Sequence, residues 1–265
     1  MINLGVNTVL FKDFSFAEAA RAIKMAGYDG LEICAIKGMC EHLDPERYRE
    51  QKSEILEILA ETGLKILASE VASQDEQRLE LAFAAAAELG IPVINVGPTG
   101  KSGDEASLQA CIANLKRMSE RAATYGVTLC CKAHVGASLY NTPTTLQAMA
   151  AISSPSFGID MDPSHIYRSG VNPEDALPAV LSRTRHIHIR DCRGRGPSPG
   201  DPPLQACGRG DINLYGYFQA MVDGHYSGPV DLEIIGPSQS LQQATVIAAE
   251  SYGYMNACLK KLAAR

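Results

Sequence analysis

The stretch Arg185-His186-Ile187-His188-Ile189-Arg190-Asp191 alternates polar and aliphatic side chains. Successive side chains of a strand point to opposite faces, so the stretch predicts one face with imidazoles and one face with isoleucines. A half-exposed strand on the surface of a sheet alternates in the same way. The stretch alone therefore leaves open whether its polar face points to solvent or into the protein.

Three other segments, residues 127–134, 158–162 and 230–234, show the same alternation. Their polar faces carry Thr128, Cys130, Lys132 and His134 in the first segment, Gly158, Asp160 and Asp162 in the second, and Asp231 and Glu233 in the third. The ionisable groups lie toward the C-terminal end of each segment. A closed parallel barrel with helices outside explains an aliphatic outer face and a polar inner face. Active sites of such barrels lie at the C-terminal ends of the strands.

A unit of helix, glycine and short aliphatic strand recurs along the chain at intervals of about 30 residues, the size of one βα unit. The glycines Gly27, Gly63, Gly90 and Gly126 are predicted to end helices in the left-handed conformation. We predict eight strands. They span Ile2–Asn7, Gly30–Cys34, Lys65–Glu70, Val93–Gly97, Thr128–His134, Gly158–Asp162, His186–Asp191 and Val230–Ile235.

These features predict the α/β class and one domain, a (β/α)8 TIM barrel over residues 1–265. The chain is close to the usual length of such a barrel, about 250 residues. An open doubly wound sheet is the alternative. It lacks its usual support, because no G-x-G-x-x-G motif follows the first strand.

Several predicted helix starts carry capping residues. Ser15 and Glu18 predict a capping box. An N-cap residue followed by proline at the first helical position is predicted at Asp44-Pro45, Thr142-Pro143 and Asn172-Pro173. Further helices are predicted to start after Asp75, after Asp104 and near Asn213, and the last helix to span residues 241–262.

The composition, with 46% hydrophobic and 20% charged residues, is ordinary for a globular protein. A net charge of −6 argues against a nucleic-acid-binding surface. The N-terminal residues are not expected to form a signal peptide, and we expect no membrane span, because no apolar stretch is long enough. We therefore expect a cytoplasmic protein without nucleic-acid or membrane partners. The eight cysteines form no C-x-x-C pair and are expected to be free thiols.

Residues 192–211 form a 20-residue connection, rich in glycine and proline, after the seventh predicted strand. Most connections are far shorter, and long ones commonly cover or bind a ligand. The position on the C-terminal rim and the arginines Arg193, Arg195 and Arg209 favour a lid. A passive surface loop is the alternative.

If the strands are in register, five residues converge at the C-terminal mouth: Lys132, His134, Asp162, His188 and Glu233. Asp162, His188 and Glu233 combine the oxygen and nitrogen ligands of divalent metals such as Mn, Zn, Co, Fe or Mg. Two carboxylates and a neutral imidazole would neutralise one such ion. An internal ion-pair network around Lys132 is the alternative.

Other polar residues of the predicted mouth are candidates for supporting roles. His165 lies in the loop after the sixth strand, where it could hydrogen-bond a substrate hydroxyl or orient a ligand. Glu32 and Glu70 end the second and third strands and are candidates for the pocket. Buried charges one layer deeper are expected to satisfy one another; these are Asp160, His186 and Asp231.

Five elements of the sequence resemble motifs of the xylose isomerase-like TIM barrels, also called the sugar phosphate isomerase/epimerase or AP endonuclease family 2 group. They are Lys132-Ala-His134-Val-Gly136, Asp162-Pro-Ser-His165, His186-Ile-His188-Ile-Arg-Asp191, Gly208-Arg-Gly210-Asp211 and Glu233. The resemblance implies a divalent metal ion bound by Asp162, His188 and Glu233. The candidate substrate-binding residues are His165, His134, Arg193 and Arg195.

One position departs from the family pattern. The resemblance implies a further glutamate ligand on the fifth strand, and Lys132 stands there instead. Three accounts follow. A metal is held by the remaining ligands while Lys132 binds a substrate oxygen or acts as a base; or no metal is bound and Lys132 stabilises an enolate-like intermediate; or the barrel binds a ligand without catalysis.

The resemblance implies an enzyme that isomerises or epimerises a sugar or a sugar-derived keto compound through proton abstraction next to the carbonyl. Glu233 is the predicted base and Lys132 the predicted electrophile or partner acid. A lyase or dehydratase with the same intermediate, or a non-catalytic sugar-binding barrel, is the alternative. A DNA-repair nuclease is disfavoured, because the first four predicted strands contain no histidine and the net charge is −6. A homo-oligomer stays open.

Overall fold

Eight parallel strands form a closed ring in the computed structural model, which describes residues 2–265. The strands of the chain are β1 (Asn3–Val6), β2 (Gly30–Ile36), β3 (Cys40–Glu41), β4 (Lys65–Ala72), β5 (Val93–Val96), β6 (Thr128–Lys132), β7 (Phe157–Met161), β8 (Thr184–Ile189) and β9 (Pro229–Leu232). The order in the ring is β1-β9-β8-β7-β6-β5-β4-β2, and a bridge from Asn7 to Glu32 closes it. The predicted TIM barrel is confirmed, with all eight predicted strands.

The short strand β3 is an addition to the barrel wall. It pairs antiparallel with β2, through Ala35 with Glu41 and Ile36 with Cys40. The sequence does not predict this hairpin, because two residues are too few to show an alternating pattern.

Nine α-helices surround the strands in the described part of the chain. They are α1 (Phe16–Ala26), α2 (Tyr48–Thr62), α3 (Glu76–Leu89), α4 (Glu105–Thr124), α5 (Thr142–Ala151), α6 (Pro163–Arg168), α7 (Pro173–Val180), α8 (Leu214–Asp223) and α9 (Leu241–Lys261). Their apolar faces and the outward residues of the strands form the main core. Within residues 2–265, no helix has the length and apolar character needed to cross a bilayer.

Most predicted helix starts are confirmed, and two are wrong. Ser15 and Glu18 form the capping box of α1, and Asp75, Asp104, Asn172 and Asn213 are N-caps. Asp44 does not cap α2, which begins at Tyr48; the Asp44 carboxylate instead accepts from the backbone N–H of Glu46 in a preceding turn. Asn141 rather than Thr142 caps α5, because the side chain of Asn141 accepts from the backbone N–H of Thr144.

Close packing inside the barrel constrains the strand that begins it. A Cβ atom on Gly5 of β1 would lie 1.8 Å from Oδ1 of Asp231 and 2.8 Å from Cδ1 of Leu67. Only glycine leaves this space to the Asp231 carboxylate. A small separate cluster of Ala68, Val93 and Cys130 also packs among the strands.

Candidate active site

The mouth of the barrel contains the buried ammonium of Lys132, at the end of β6. Its Nζ lies 2.8 Å from Oε1 of Glu233, which follows β9, and 3.1 Å from Oε1 of Glu70 on β4. Each of the three side chains is 5% exposed. Two carboxylates from strands that are not neighbours therefore meet at one ammonium.

Arg190, which follows β8, is the second buried cation of the mouth. Its guanidinium contacts Oε2 of Glu233 at 3.2 Å and Oδ2 of Asp162 at 2.9 Å. Glu233 thus lies between two cations. The family motifs do not single out Arg190, but its place two residues after His188 on the same polar face is a signal that could have found it.

Asp162, a predicted metal ligand, is the N-cap of α6. Its Oδ1 accepts from the backbone N–H of Ser164 at 2.8 Å, from the Ser164 hydroxyl at 2.7 Å and from the backbone N–H of His165 at 3.4 Å. Its Oδ2 accepts from Arg190. The carboxylate therefore already has several donors, as expected of an aspartate that precedes a proline at a helix start.

A second layer of ionic contacts lies below the mouth. His186 on β8 contacts Oδ1 of Asp160 at 3.0 Å and Oδ2 of Asp231 at 2.8 Å. His188 contacts Oε2 of Glu32 at 2.5 Å and Oδ2 of Asp160 at 2.6 Å. The expected pairing of His186 with Asp160 and Asp231 is confirmed.

Two asparagines join the layers and lie outside the family motifs. The amide of Asn7 donates to Oε2 of Glu32 and to Oε2 of Glu70, both at 2.7 Å, and the amide of Asn95 donates to Oε1 of Glu32 at 2.7 Å. Both asparagines are fully buried. Their signal in the sequence is a polar side chain in a predicted strand: Asn7 ends the first strand, and Asn95 lies in the middle of the fourth.

Opposite pKa shifts distinguish the two glutamates that contact Lys132. Burial raises the pKa of Glu70 to about 7, and the charge of Glu233 adds to the rise. Burial alone would also raise the pKa of Glu233, but Lys132 and Arg190 hold it well below its usual range. Burial would lower the pKa of Lys132, yet the two carboxylates keep it above its usual value. At neutral pH Glu233 is ionised, Lys132 is protonated and Glu70 is close to half protonated.

The lower histidines are held in the charged form. Burial would lower the pKa of both imidazoles, but Asp160 and Glu32 raise that of His186 to about 9. The same two carboxylates raise the pKa of His188 well above its usual value. All four ring nitrogens lie close to carboxylates, which holds both rings in the imidazolium form. Three of the nitrogens hydrogen-bond to carboxylates, whereas Nδ1 of His188 lies 2.6 Å from Asp160 without hydrogen-bond geometry.

The two predicted substrate-binding histidines lie against each other at the rim. The ring centroids of His134 and His165 are 4.0 Å apart. Nδ1 of His165 accepts from Arg168 at 3.0 Å, and Nε2 lies 2.9 Å from Arg190. Burial, and then the charge of Arg190, hold the pKa of His165 well below its usual value. Burial and Lys132 also lower the pKa of His134. Both rings are therefore neutral at pH 7.

The arginines of the long connection contact the outer side of the rim. Arg195 donates to the carbonyl of Tyr167 and to the side chain of Asn172, both at 2.7 Å, and its guanidinium lies 3.9 Å above the Tyr167 ring. Arg193 donates to the carbonyl of Arg209 at 3.1 Å. Both side chains are exposed, and within residues 2–265 neither contacts the carboxylates of the mouth.

Asp191 fixes the ends of this connection. Its Oδ1 accepts from the backbone N–H groups of Cys192 at 2.9 Å and Ile212 at 3.1 Å, and its Oδ2 accepts from that of Gly208 at 3.0 Å. Arg168 also donates to the carbonyl of Pro197 at 2.8 Å. The connection thus lies over the rim with its ends pinned to one buried carboxylate.

Two groups of buried side chains have ligand atoms within 4.8 Å of one another and could hold a metal ion. They are Glu32 with His186 and His188, and Glu70 with His188 and Glu233. Asp162 belongs to neither group. Of the predicted ligands, the structure therefore brings His188 and Glu233 together and leaves Asp162 with Arg190 and the start of α6.

The present contacts of these groups do not fit a resident divalent ion. Lys132 contacts both carboxylates of the second group, and both ring nitrogens of His188 already face carboxylates. A divalent cation about 4 Å from an ammonium is repelled by about 8 kcal/mol at an effective dielectric constant of about 20. A metal ion would require Lys132 to leave and His188 to lose a proton.

The family of the chain follows from its sequence. Residues 20–258 match the family model of the xylose isomerase-like TIM barrels, and the chain belongs to this family. No curated protein sequence matches it.

Solved structures share the barrel. D-allulose 3-epimerase from Methylomonas sp. superposes with a TM-score of 0.75 at 15% identity, covering 97% of this chain and 98% of that one. 3-Keto-D-glucoside 4-epimerase from E. coli superposes with a TM-score of 0.75 at 18% identity, covering 97% of this chain and 100% of that one. The probable 3-DHS dehydratase from Bacillus anthracis superposes with a TM-score of 0.77 at 16% identity, covering 96% of this chain and 99% of that one. At these identities the likeness shows the fold.

Proposed function

We propose that the chain is an enzyme that isomerises or epimerises a sugar or a sugar-derived keto compound by moving a proton next to the carbonyl. The observation that carries the proposal is the contact of Glu70 and Glu233 with the same ammonium of Lys132. The reaction needs a base, an acid and a positive charge at the carbonyl oxygen. The three side chains can supply these groups, because at neutral pH Glu233 is ionised, Lys132 is protonated and Glu70 is partly protonated.

In the proposed step, the ionised Glu233 removes the proton from the carbon next to the carbonyl. The electron pair of that C–H bond moves toward the carbonyl oxygen and gives an enediolate. The Lys132 ammonium donates to this oxygen and stabilises its charge. Glu70 in its protonated form returns a proton to carbon, and exchange with solvent restores both glutamates.

The remaining predicted site residues have supporting roles in this proposal. Neutral His134 suits a hydroxyl group of a sugar, since a neutral imidazole both donates and accepts. His165, whose two ring nitrogens face Arg168 and Arg190, stays a predicted substrate contact. Arg193 and Arg195 stay predicted substrate contacts. Such contacts would require a substrate that extends to the outer rim. The predicted metal ion on Asp162, His188 and Glu233 stays a prediction, and the proposed step does not use it.

The second candidate is a dehydratase with the same enediolate-like intermediate. It is favoured by the protonated Glu70 beside Lys132, since an acid in this place could also protonate a departing hydroxyl group. Among similar folds there are both epimerases and a probable dehydratase. The product therefore distinguishes the two functions.

Proton exchange tests the proposal directly. The protein is incubated in D2O with a panel of ketoses and sugar-derived keto acids, and loss of the C–H signal next to the carbonyl is followed by ¹H NMR. We expect Glu233→Gln to slow exchange by about 100-fold or more. Glu120→Gln, on the exposed side of α4, is the matched control and should exchange like the native protein.

Each outcome of this experiment points to one function. A C–H signal lost together with a new epimer or isomer supports the proposal. Loss of water with a new alkene signal identifies the dehydratase. Ligand-induced shifts in the protein without exchange identify a binding barrel, and full exchange in Glu233→Gln rules out Glu233 as the base.

A further inference from the structure

Lys132 lies against the oxygen atoms that the second potential metal group offers. Ligand atoms of Glu70, His188 and Glu233 lie within 4.8 Å of one another. Nζ of Lys132 is 3.1 Å from the carboxylate of Glu70 and 2.8 Å from that of Glu233. One ammonium therefore already pairs with both carboxylates that a metal ion would use.

Arg190 pairs in a similar way with two predicted carboxylate ligands, Asp162 and Glu233. Its guanidinium contacts Oδ2 of Asp162 at 2.9 Å and Oε2 of Glu233 at 3.2 Å. The side chain is 1% exposed, and its Nε donates to the Ser164 hydroxyl at 2.7 Å. The guanidinium is thus fixed between the two carboxylates by a third contact.

Both ring nitrogens of the histidine in the cluster lie close to carboxylates. Nε2 of His188 contacts Glu32 at 2.5 Å and Nδ1 contacts Asp160 at 2.6 Å. A metal ion at His188 would have to replace one of these carboxylates as the partner of the ring. The contacts of His188, like those of Lys132 and Arg190, therefore disfavour a bound metal ion.

We propose that Lys132 and Arg190 occupy the place of a divalent metal ion in this barrel, and that the Lys132 ammonium excludes such an ion from the Glu70–His188–Glu233 cluster. The protein then keeps its site intact without bound metal. Chelators leave its structure and any proton exchange unchanged.

Burial makes the exclusion effective. The Lys132 side chain is 5% exposed, and both of its ion-pair partners are the carboxylates of the cluster. An entering metal ion would take these partners and leave the ammonium buried without a counter-charge, which is strongly unfavourable. Removing the ammonium, by contrast, leaves two carboxylates with fewer cations and creates a site that attracts a divalent ion.

Titration with Co²⁺ tests the proposal, because cobalt bound by nitrogen and oxygen ligands gives visible d–d absorption. The native chain, Lys132→Met and the control Lys116→Met are compared, Lys116 being exposed on α4. We expect about one equivalent of Co²⁺ to bind Lys132→Met at least about 100-fold more tightly than the native protein. Lys116→Met should behave like the native protein, and elemental analysis of the native protein should find no stoichiometric metal.

Tight binding of one equivalent by the native chain would overturn the proposal. Failure of a folded Lys132→Met to bind would also overturn it, since the ammonium would then not be the excluding group. If near-UV circular dichroism shows that Lys132→Met is unfolded, Lys132→Glu, which supplies a further carboxylate, is titrated instead. The native titration decides occupancy even if neither variant folds. The inference does not rest on the proposed reaction, because ion binding is measured without substrate.

Discussion

Glu70 and Glu233 are identical side chains that the barrel places in different electrostatic surroundings. Glu233 faces two cations, Lys132 and Arg190, whereas Glu70 shares Lys132 and lies near the charge of Glu233. The pKa of Glu70 is therefore raised to about 7 and that of Glu233 is held well below its usual range. Such a difference lets one carboxyl group donate a proton at a pH at which the other accepts one.

This difference predicts the pH dependence of the proposed reaction. Because Glu70 loses its proton as the pH rises through about 7, kcat/KM in the direction that uses Glu233 as the base should fall above this pH. Glu70→Gln cannot lose a proton, so this variant should be slower and should lack the alkaline fall. Glu120→Gln should keep it. A native profile that is flat to about pH 9 would contradict the role of Glu70.

The residues that share the inner face were predictable, but their pairing was not. The period of two places His186, His188 and Arg190 on one face, and the structure bears this out. Which carboxylate each cation meets depends on side-chain reach across several strands, as in the contact of Arg190 with Asp162 on the neighbouring β7 segment. A one-dimensional pattern contains no such distance.

At the scale of elements, α6 connects the mouth to the rim. It is only six residues long, yet its N-cap Asp162 contacts Arg190, and its residues His165 and Arg168 contact each other below the long connection. The sequence Asp162-Pro-Ser-His165 is compatible both with a ligand after a strand and with a capped helix start. In the structure Asp162 caps the helix, because its Oδ1 accepts from two backbone N–H groups.

The hydroxyl of Ser164 is the contact through which α6 orients Arg190. It donates to Oδ1 of Asp162 at 2.7 Å and accepts from Nε of Arg190 at 2.7 Å. Ser164→Ala leaves that buried N–H without its partner and should lower the free energy of unfolding by about 1–3 kcal/mol. Urea denaturation measures the change.

Ser169→Ala at the end of the same helix is the matched control. Its half-buried hydroxyl donates to the carbonyl of Ile166, so its loss should cost about 1 kcal/mol or less. Equal effects of the two substitutions would show that the Ser164–Arg190 contact adds no stability.

At the scale of the whole molecule, the barrel interior pairs most of its buried charges with one another. Its carboxylates are Glu32, Glu70, Asp160, Asp162, Asp231 and Glu233, and its cationic groups are Lys132, Arg190, His186 and His188. The carboxylates outnumber the cationic groups by two, and burial raises the pKa of Glu70 and of Asp231, which reduces this negative excess. Because buried charges need partners, this interior is a stability determinant as well as a candidate catalytic site.

The charged histidines therefore make stability depend on pH. The pKa of His186 is about 9 in the folded protein and near 6.5 when the chain is unfolded, so folding favours its protonated form. This contribution is fully present below about pH 6.5 and is lost as the pH rises through about 9, a change of about 3 kcal/mol. His188, whose pKa is also raised, acts in the same direction.

Urea denaturation between about pH 6.5 and 9.5 measures this loss, which should appear as a falling free energy of unfolding. His225→Asn removes an exposed histidine and should keep the full fall, whereas His186→Asn should be less stable at pH 6.5 and show a smaller fall. If His186→Asn does not fold, the imidazole ¹³C signals of the native protein report the same titration. Stability that stays constant over this range, with imidazole signals that titrate near pH 6.5, would show that the buried carboxylates do not hold His186 in its charged form.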